Sequence, residues 1–426
     1  MNLIFENLDG NKNFINCNDI NPSGIGRFGN SALINATHLY CTSNQKPLII
    51  NYCGLNDNVK NYVISAGVNH SPEDWTGYNP RVKSLFSYLN EKYLRDLQNG
   101  NALLLLDQSL EGYQTPWLFN WFHEECNNYK ISPKQIVYVT GNMIVDEVYE
   151  KWANDNNINE RMLVIGYPHF ELDMGMSCNN LSRTEKSLPT FNDHIQYKLF
   201  NSETLKTYAC LNKRIRPHRV WFYRYLYYSG LLNKGLVSMN EFQKHPYNWE
   251  GKHITDKEIE EISKILPLRV YGKPNNELDD SFYINRFNDQ ICLDTFLTVI
   301  SEAHSADTDQ TMFISEKTFK VIACRHPFII MGNKNSMDKM KSLGYKTFDG
   351  FIDESYDNLP THERMERIIE SIKKIDKLKN KIKWFRSLEE VIEHNYNTLI
   401  SKLKRKPDSY VILENYYNNM FSKDLI

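Results

Sequence analysis

Phe313-Ile314-Ser315-Glu316-Lys317-Thr318-Phe319-Lys320-Val321-Ile322-Ala323-Cys324-Arg325-His326-Pro327-Phe328-Ile329-Ile330-Met331-Gly332 holds a charged turn, a short helix and a strand in succession. The turn is Ser315-Glu316-Lys317. Phe319, Ile322 and Ala323 follow it at helical spacing. Pro327 restarts the chain, and Phe328-Ile329-Ile330-Met331 is an unbroken apolar run that stops at Gly332. Runs without alternating polar residues suit strands of a parallel sheet covered on both faces. The stretch therefore predicts an α/β domain in which an acid and a base sit side by side at a helix N-terminus. Such a terminus carries free N–H groups and partial positive charge, so it attracts phosphate. Lys317 adds a full charge, and Glu316 offers an acceptor for sugar hydroxyls. The competing reading is an exposed Glu-Lys pair on an ordinary helix cap.

Upstream, the same arrangement occurs once more. Leu205 to Asn212 reads as a strand, Lys213-Arg214-Ile215-Arg216-Pro217-His218-Arg219 as a basic turn, and Pro217 to Leu232 as a helix. Proline in a first helical turn and glycine past the end, here Gly235, are normal start and stop signals. Four cations crowded at an already positive helix start repel one another, which favours a bound anion. An exposed turn in salt tolerates the same crowding. Between the two starts, Cys292 to Glu302 reads as a strand with an acid at its carboxyl end. Two cationic helix starts meet the needs of a nucleotide-sugar site: the leaving diphosphate requires positive charge in the transition state, and one carboxylate can take both ribose hydroxyls.

The first half repeats strand and helix. Pro47 to Tyr52, Ala102 to Asp107, Gln135 to Asn142 and Met162 to Tyr167 read as strands, with helical patterns at Val82 to Asn99, Thr115 to Tyr129 and Asp146 to Asn156. That rhythm predicts a second parallel sheet. The aromatic cluster Trp117, Phe119, Trp121 and Phe122 reads as core. Residues just beyond a parallel strand line the ligand crevice of an open sheet, so Glu111 and then Asp107 are the candidates for a general base; helix capping or loop solvation is the alternative. Gly24-Ile25-Gly26-Arg27-Phe28-Gly29 has dinucleotide-fingerprint letters but no convincing strand before it, and reads better as a turn or a cleft loop. Asp307-Thr308-Asp309 has the letters of a metal site in a polar loop. Periodicity fades from Cys178 to Leu199, which places the expected boundaries at 1–200, 201–385 and a helical 386–426.

The chain has 426 residues, 41% of them hydrophobic, enough for two or three cored domains. A formal charge of -2 argues against a molecule that binds nucleic acid through overall charge. Locally, Lys373, Lys374, Lys377, Lys379, Lys381 and Lys383 lie in a long helical pattern from Thr361 to Leu403, followed by Lys402, Lys404, Arg405 and Lys406. Such runs suit a nucleic acid or an anionic membrane surface, or are plainly solvated. Eight scattered cysteines without a Cys-x-x-Cys pair suggest reduced, buried thiols. The first residues lack a basic region with an apolar core, and no apolar run is long enough to span a bilayer, so the expected location is the cytoplasm.

About residues 205–360 resemble glycosyltransferases of the GT-B class, most closely the α1,3-fucosyltransferase-like family (glycosyltransferase family ten). Asn212 and Arg219 match its first element, and Ser315, Glu316, Lys317, Ala323, Pro327 and Gly332 its second. The wider pattern is similar to uncharacterised phage and marine microbial proteins, through Arg216-Pro217-His218-Arg219, Ser315-Glu316-Lys317-Thr318 and Asp353-Glu354-Ser355-Tyr356-Asp357. The resemblance implies two Rossmann-like parallel-sheet domains facing a central cleft, with C-terminal helices, one packing back on the first domain. It implies transfer of a sugar from a nucleotide sugar, inverting, with neither metal nor cofactor. Arg219 and Lys317 would hold the donor diphosphate and Glu316 the ribose; Arg214 and Arg216 are further cations without a family counterpart. The acceptor would be a glycan, or a hydroxymethylated DNA base in a phage. The family's catalytic carboxylate comes from the first half, where nothing aligns. The alternatives are a nucleotide- or nucleic-acid-binding module without catalysis, and a phage assembly protein with a transferase-like fold.

Overall fold

The computed structural model describes residues 2–7, 49–50, 62–67, 86, 89, 91–109, 112, 117–181, 188–242, 249–272, 289–402 and 408–421. Glu111 and the glycine-rich loop at 24–29 lie outside them. The chain forms two compact units. One comprises 1–169, 310–313 and 406–426, the other 170–309 and 314–405.

In the first unit, strands β1 (Asn2–Asn7), β2 (Ile49–Ile50), β3 (Tyr62–Gly67), β4 (Ala102–Gln108), β5 (Ile136–Thr140) and β6 (Leu163–Gly166) make one sheet in the order β2-β1-β3-β4-β5-β6. Every pair is parallel. Leu103 to Leu106 and all of β5 are buried, as strands covered on both faces must be. Helices α1 (Glu91–Gln98), α2 (Leu118–Tyr129) and α3 (Val145–Asp155) alternate with the last strands. Phe119 and Phe122 of α2 are core residues, with Trp117 and Trp121 packed against the same cluster. The Tyr149 hydroxyl lies 2.9 Å from His123 Nε2 and accepts from the Met162 N–H at 2.9 Å. Asp107 lies in β4 near its carboxyl end, in register with Gly67 and Val139. Residues 310–313 join this unit through Asn142, which donates to the Gln310 carbonyl at 2.7 Å and accepts from the Met312 N–H at 2.8 Å. A last helix, Asp408–Phe421, also belongs here, and Tyr416 donates to the Lys134 carbonyl.

In the second unit, β7 (Tyr208–Leu211), β8 (Gly235–Ser238), β9 (Thr298–Ser301) and β10 (Phe328–Met331) form a parallel sheet in the order β10-β9-β7-β8. The chain moves one way from β7 to β8, then crosses to the other side of β7 for β9 and β10. The reversal between β7 and β9 is a topological switch point, and ligands of open parallel sheets bind beyond the strand ends at such a point. The helices of this unit are α4 (His169–Leu181), α5 (Phe191–Phe200), α6 (Pro217–Tyr228), α7 (Asp256–Ser263), α8 (Glu316–Ala323), α9 (Ser336–Ser342), α10 (Thr361–Asp376), α11 (Lys381–Arg386) and α12 (Glu389–Ser401).

Three stretches differ from the sequence reading. The aperiodic segment from Cys178 to Leu199 contains the end of α4 and most of α5. Its pattern is broken because α5 buries polar side chains. Lys198 is fully buried and donates to the carbonyls of Cys292, Leu293 and Thr295 at 3.1, 2.8 and 2.6 Å. Its Nζ also lies 4.7 Å from the Phe385 ring centre. Burial pulls this amine down to about 7, whereas three carbonyls and a ring face are the surroundings of an ammonium. The long helix expected from Thr361 to Leu403 is three helices, α10, α11 and α12. The strand expected from Cys292 to Glu302 is a helical turn, Gln290–Leu293, followed by β9. All five cysteines among the described residues, Cys126, Cys178, Cys210, Cys292 and Cys324, are free and buried. Among the described residues no helix is long and apolar enough to cross a membrane.

Candidate functional site

Both basic helix starts of the second unit lie just past the carboxyl ends of its sheet, and Glu302, the first residue after β9, binds them together. Beyond a strand end the carbonyls have no further ladder partner and attract donors. His218 Nε2 lies 3.1 Å from the Glu302 carbonyl. Arg219 donates through Nη2 to the carbonyls of Ser301 and Glu302 at 3.2 and 3.0 Å, and through Nη1 to that of Arg214 at 3.1 Å. Arg216, the N-cap of α6, reaches the Ala303 carbonyl. Thus α6 is tied to the backbone leaving β9.

The side chain of Glu302 ties α8 to the same backbone. Its Oε1 accepts from the Ser315 N–H at 3.1 Å and the Thr318 hydroxyl at 2.7 Å. Its Oε2 accepts from the Ser315 hydroxyl at 2.5 Å and the Ala303 N–H at 3.1 Å. A buried carboxylate is tolerated here because it is fully hydrogen-bonded and sits at the positive end of a helix. Gly332 makes room for it: a Cβ there would lie 3.2 Å from Glu302 Cγ and 3.1 Å from Ile330 Cγ2.

The neighbouring pair in the turn is turned to other work. Lys317 Nζ donates to Glu316 Oε1 at 2.6 Å and to Ser315 Oγ at 3.2 Å, and keeps 29% of its side-chain surface. Burial pushes the Glu316 carboxyl up, but Lys317, helped by Lys320, outweighs it and holds the group below its ordinary value. His304 reads the whole cluster. Burial first, and then the charges of Arg216, Lys317 and Arg219, push its imidazole down to about 4. It is therefore neutral at neutral pH, with cations from both helix starts around it. Arg219 is pushed down to about 10 by burial and by Arg216, against the attraction of Glu302 and Glu316, and stays charged. Its buried Nε has no hydrogen-bond partner.

Arg216, Arg219, Glu316 and Lys317 thus belong to one electrostatic cluster. Arg214 is exposed beside it, its carbonyl accepting from Arg219. Arg219 is almost wholly buried, and its terminal nitrogens are engaged with backbone. Asp107 is in the other unit. Asp307 is taken up by α10: it accepts from the Thr361 N–H at 2.6 Å and from the buried Arg364 at 2.7 Å. Sequence reasoning missed His304, whose surroundings come from distant segments. It saw Glu302 as an acid ending a strand, without its capping of a helix thirteen residues later.

Compared with known protein families and with curated proteins, the sequence finds no match.

Proposed function

We propose that this chain is a glycosyltransferase of the GT-B type, moving a sugar from a nucleotide-sugar donor to a hydroxyl, with inversion and without a resident metal. One observation carries the reading: two cationic helix starts are both bound to Glu302, beside His304, at the switch point of a parallel sheet. A diphosphate is the anion such a place suits. Arg214, Arg216 and Lys317, more exposed than Arg219, would meet its oxygens, and Arg219 would add positive charge from behind. Glu316, kept ionised by Lys317, would accept from the ribose hydroxyls. As the sugar–phosphate bond breaks, negative charge grows on the leaving diphosphate, and preplaced cations stabilise it without rearranging. A carboxylate of the first unit, Glu111 or else Asp107, would take the acceptor proton. The acceptor is a glycan hydroxyl, or a hydroxymethylated base if the chain comes from a phage.

The test is a panel of UDP-, GDP-, CMP- and dTDP-sugars in a thermal-shift assay, followed by turnover. A true donor at a hundred times its dissociation constant adds about 2.7 kcal/mol. Lys317→Ala should then cut turnover by roughly 10²–10³. A panel in which no donor raises the melting temperature, or a Lys317→Ala chain that transfers sugar at the parent rate, overturns the reading.

A further inference from the structure

A second basic site lies at the opposite end of the same sheet. A pocket of about 470 Å³ opens at the amino ends of β7, β8 and β9. Lys206 and Thr207 precede β7 and Lys234 precedes β8, while Asp376, Lys379 and Lys381 come from the end of α10 and the start of α11. Four-residue strands separate it from the cluster at the carboxyl ends by about 13 Å. The volume is that of a small-molecule site.

The charges on its walls do not balance. Four lysines and one aspartate line it, a formal excess of three positive charges. Asp376 is already shared: Lys234 and Lys381 each lie 3.9 Å from its carboxylate oxygens, and Thr207 donates to it at 2.6 Å. Among the described residues Lys206 donates to the Asn233 carbonyl at 3.0 Å, and Lys381 also to the Asp376 carbonyl at 2.7 Å. An ammonium has three donors, so both keep capacity. Lys379 is exposed and makes no hydrogen bond or ion pair among the described residues. The negative end of α10 accounts for lysines that follow it in sequence. It does not account for Lys206 and Lys234, which arrive from separate strand-leading loops at the same cavity.

We propose that this pocket binds a small phosphate-bearing ligand, of the size and charge of a nucleotide or a sugar phosphate, independently of the cluster around His304. Lysines bind phosphate as point charges, and such a ligand offers the two or three negative charges that the walls lack.

The experiment is calorimetric titration of the full chain with inorganic pyrophosphate at low salt. The parent should show two classes of site. Lys317→Ala should keep the site at the strand amino ends. Lys379→Glu, which reverses an exposed charge, should weaken that site at least tenfold and spare the other; Lys206→Ala, which gives up one carbonyl contact, should weaken it in the same direction. The proposal falls if Lys379→Glu and Lys206→Ala titrate like the parent, or if Lys317→Ala removes all pyrophosphate binding. It falls equally if a short DNA duplex, and not pyrophosphate, binds in a way that depends on Lys379.

Discussion

Replacing Glu302 by Gln keeps the shape of the side chain and changes one oxygen to an NH₂. Each carboxylate oxygen accepts from one hydroxyl and one backbone N–H: Ser315 N–H and the Thr318 hydroxyl on Oε1, Ala303 N–H and the Ser315 hydroxyl on Oε2. A hydroxyl can rotate to accept from the new NH₂, but a backbone N–H cannot. Whichever way the amide is turned, one N–H, the buried one of Ser315 or the partly buried one of Ala303, therefore faces another donor. Leaving such a donor unsatisfied costs about 1–3 kcal/mol, and the two bonds kept by the remaining oxygen lose charge assistance worth about 1 kcal/mol each. The sum is about 3–5 kcal/mol. For a unit of this size each kcal/mol moves the melting temperature by about 2–4 °C, so Glu302→Gln should lower it by about 10 °C. Scanning calorimetry resolves a shift of that size. A double-mutant cycle with Thr318→Val should give a coupling of about 0.5–3 kcal/mol. A Glu302→Gln chain melting within about 2 °C of the parent would refute the capping argument.

Further expectations concern neighbouring groups. Gly332→Ala should cost about 1–3 kcal/mol by pressing on Glu302 and Ile330; urea denaturation with an unchanged midpoint would count against that close approach. Lys198→Met leaves the carbonyls of Cys292 and Leu293 without this donor, while that of Thr295 keeps His326 at 2.9 Å, and should cost about 1–3 kcal/mol in the same assay. His304 should titrate near 4 by NMR in the parent, and nearer its ordinary value in Arg216→Ala or Lys317→Ala, because each removes a charge that opposes protonation. Its folded value lies below the unfolded value of about 6.5, so the unfolded chain takes up the proton first, and stability is lost as pH falls from about 6.5 towards 4. A His304→Asn chain should accordingly lose less stability than the parent across that window, measured by thermal unfolding at both ends; equal losses would contradict the assignment.

The parallel strands were legible where burial on both faces leaves a purely apolar run, as in Leu103 to Leu106 and Phe328 to Met331. β8 was not, because Gly235 reads as a helix stop and is also the first residue of the strand. It packs under Tyr208, whose ring lies 2.5 Å from where a Gly235 Cβ would stand. β3 escaped notice because Ser65, Ala66 and Gly67 dilute its apolar character. At the candidate site the charges were legible because each group lies within one turn of chain. That the two starts serve one site was expected; what links them was not legible, because Glu302 does it, through its carbonyl to α6 and its carboxylate to α8. Resemblance assigned Arg219 to the diphosphate, whereas its geometry is first that of a clamp on three backbone carbonyls. The lysine run likewise meets an acid that a one-dimensional count does not pair, Lys374 with Asp353 at 3.7 Å.

The tetrad Ser315-Glu316-Lys317-Thr318 carries two messages in one word. Its outer letters are addressed to Glu302, and its inner pair to each other and the ground around His304. Under selection the two halves would drift separately. If the chain is the enzyme proposed, a relative that lost the activity would retain the serine, the threonine and their distant glutamate for as long as it kept the architecture, while the inner letters wandered. A pattern search that insists on all four would then overlook such relatives.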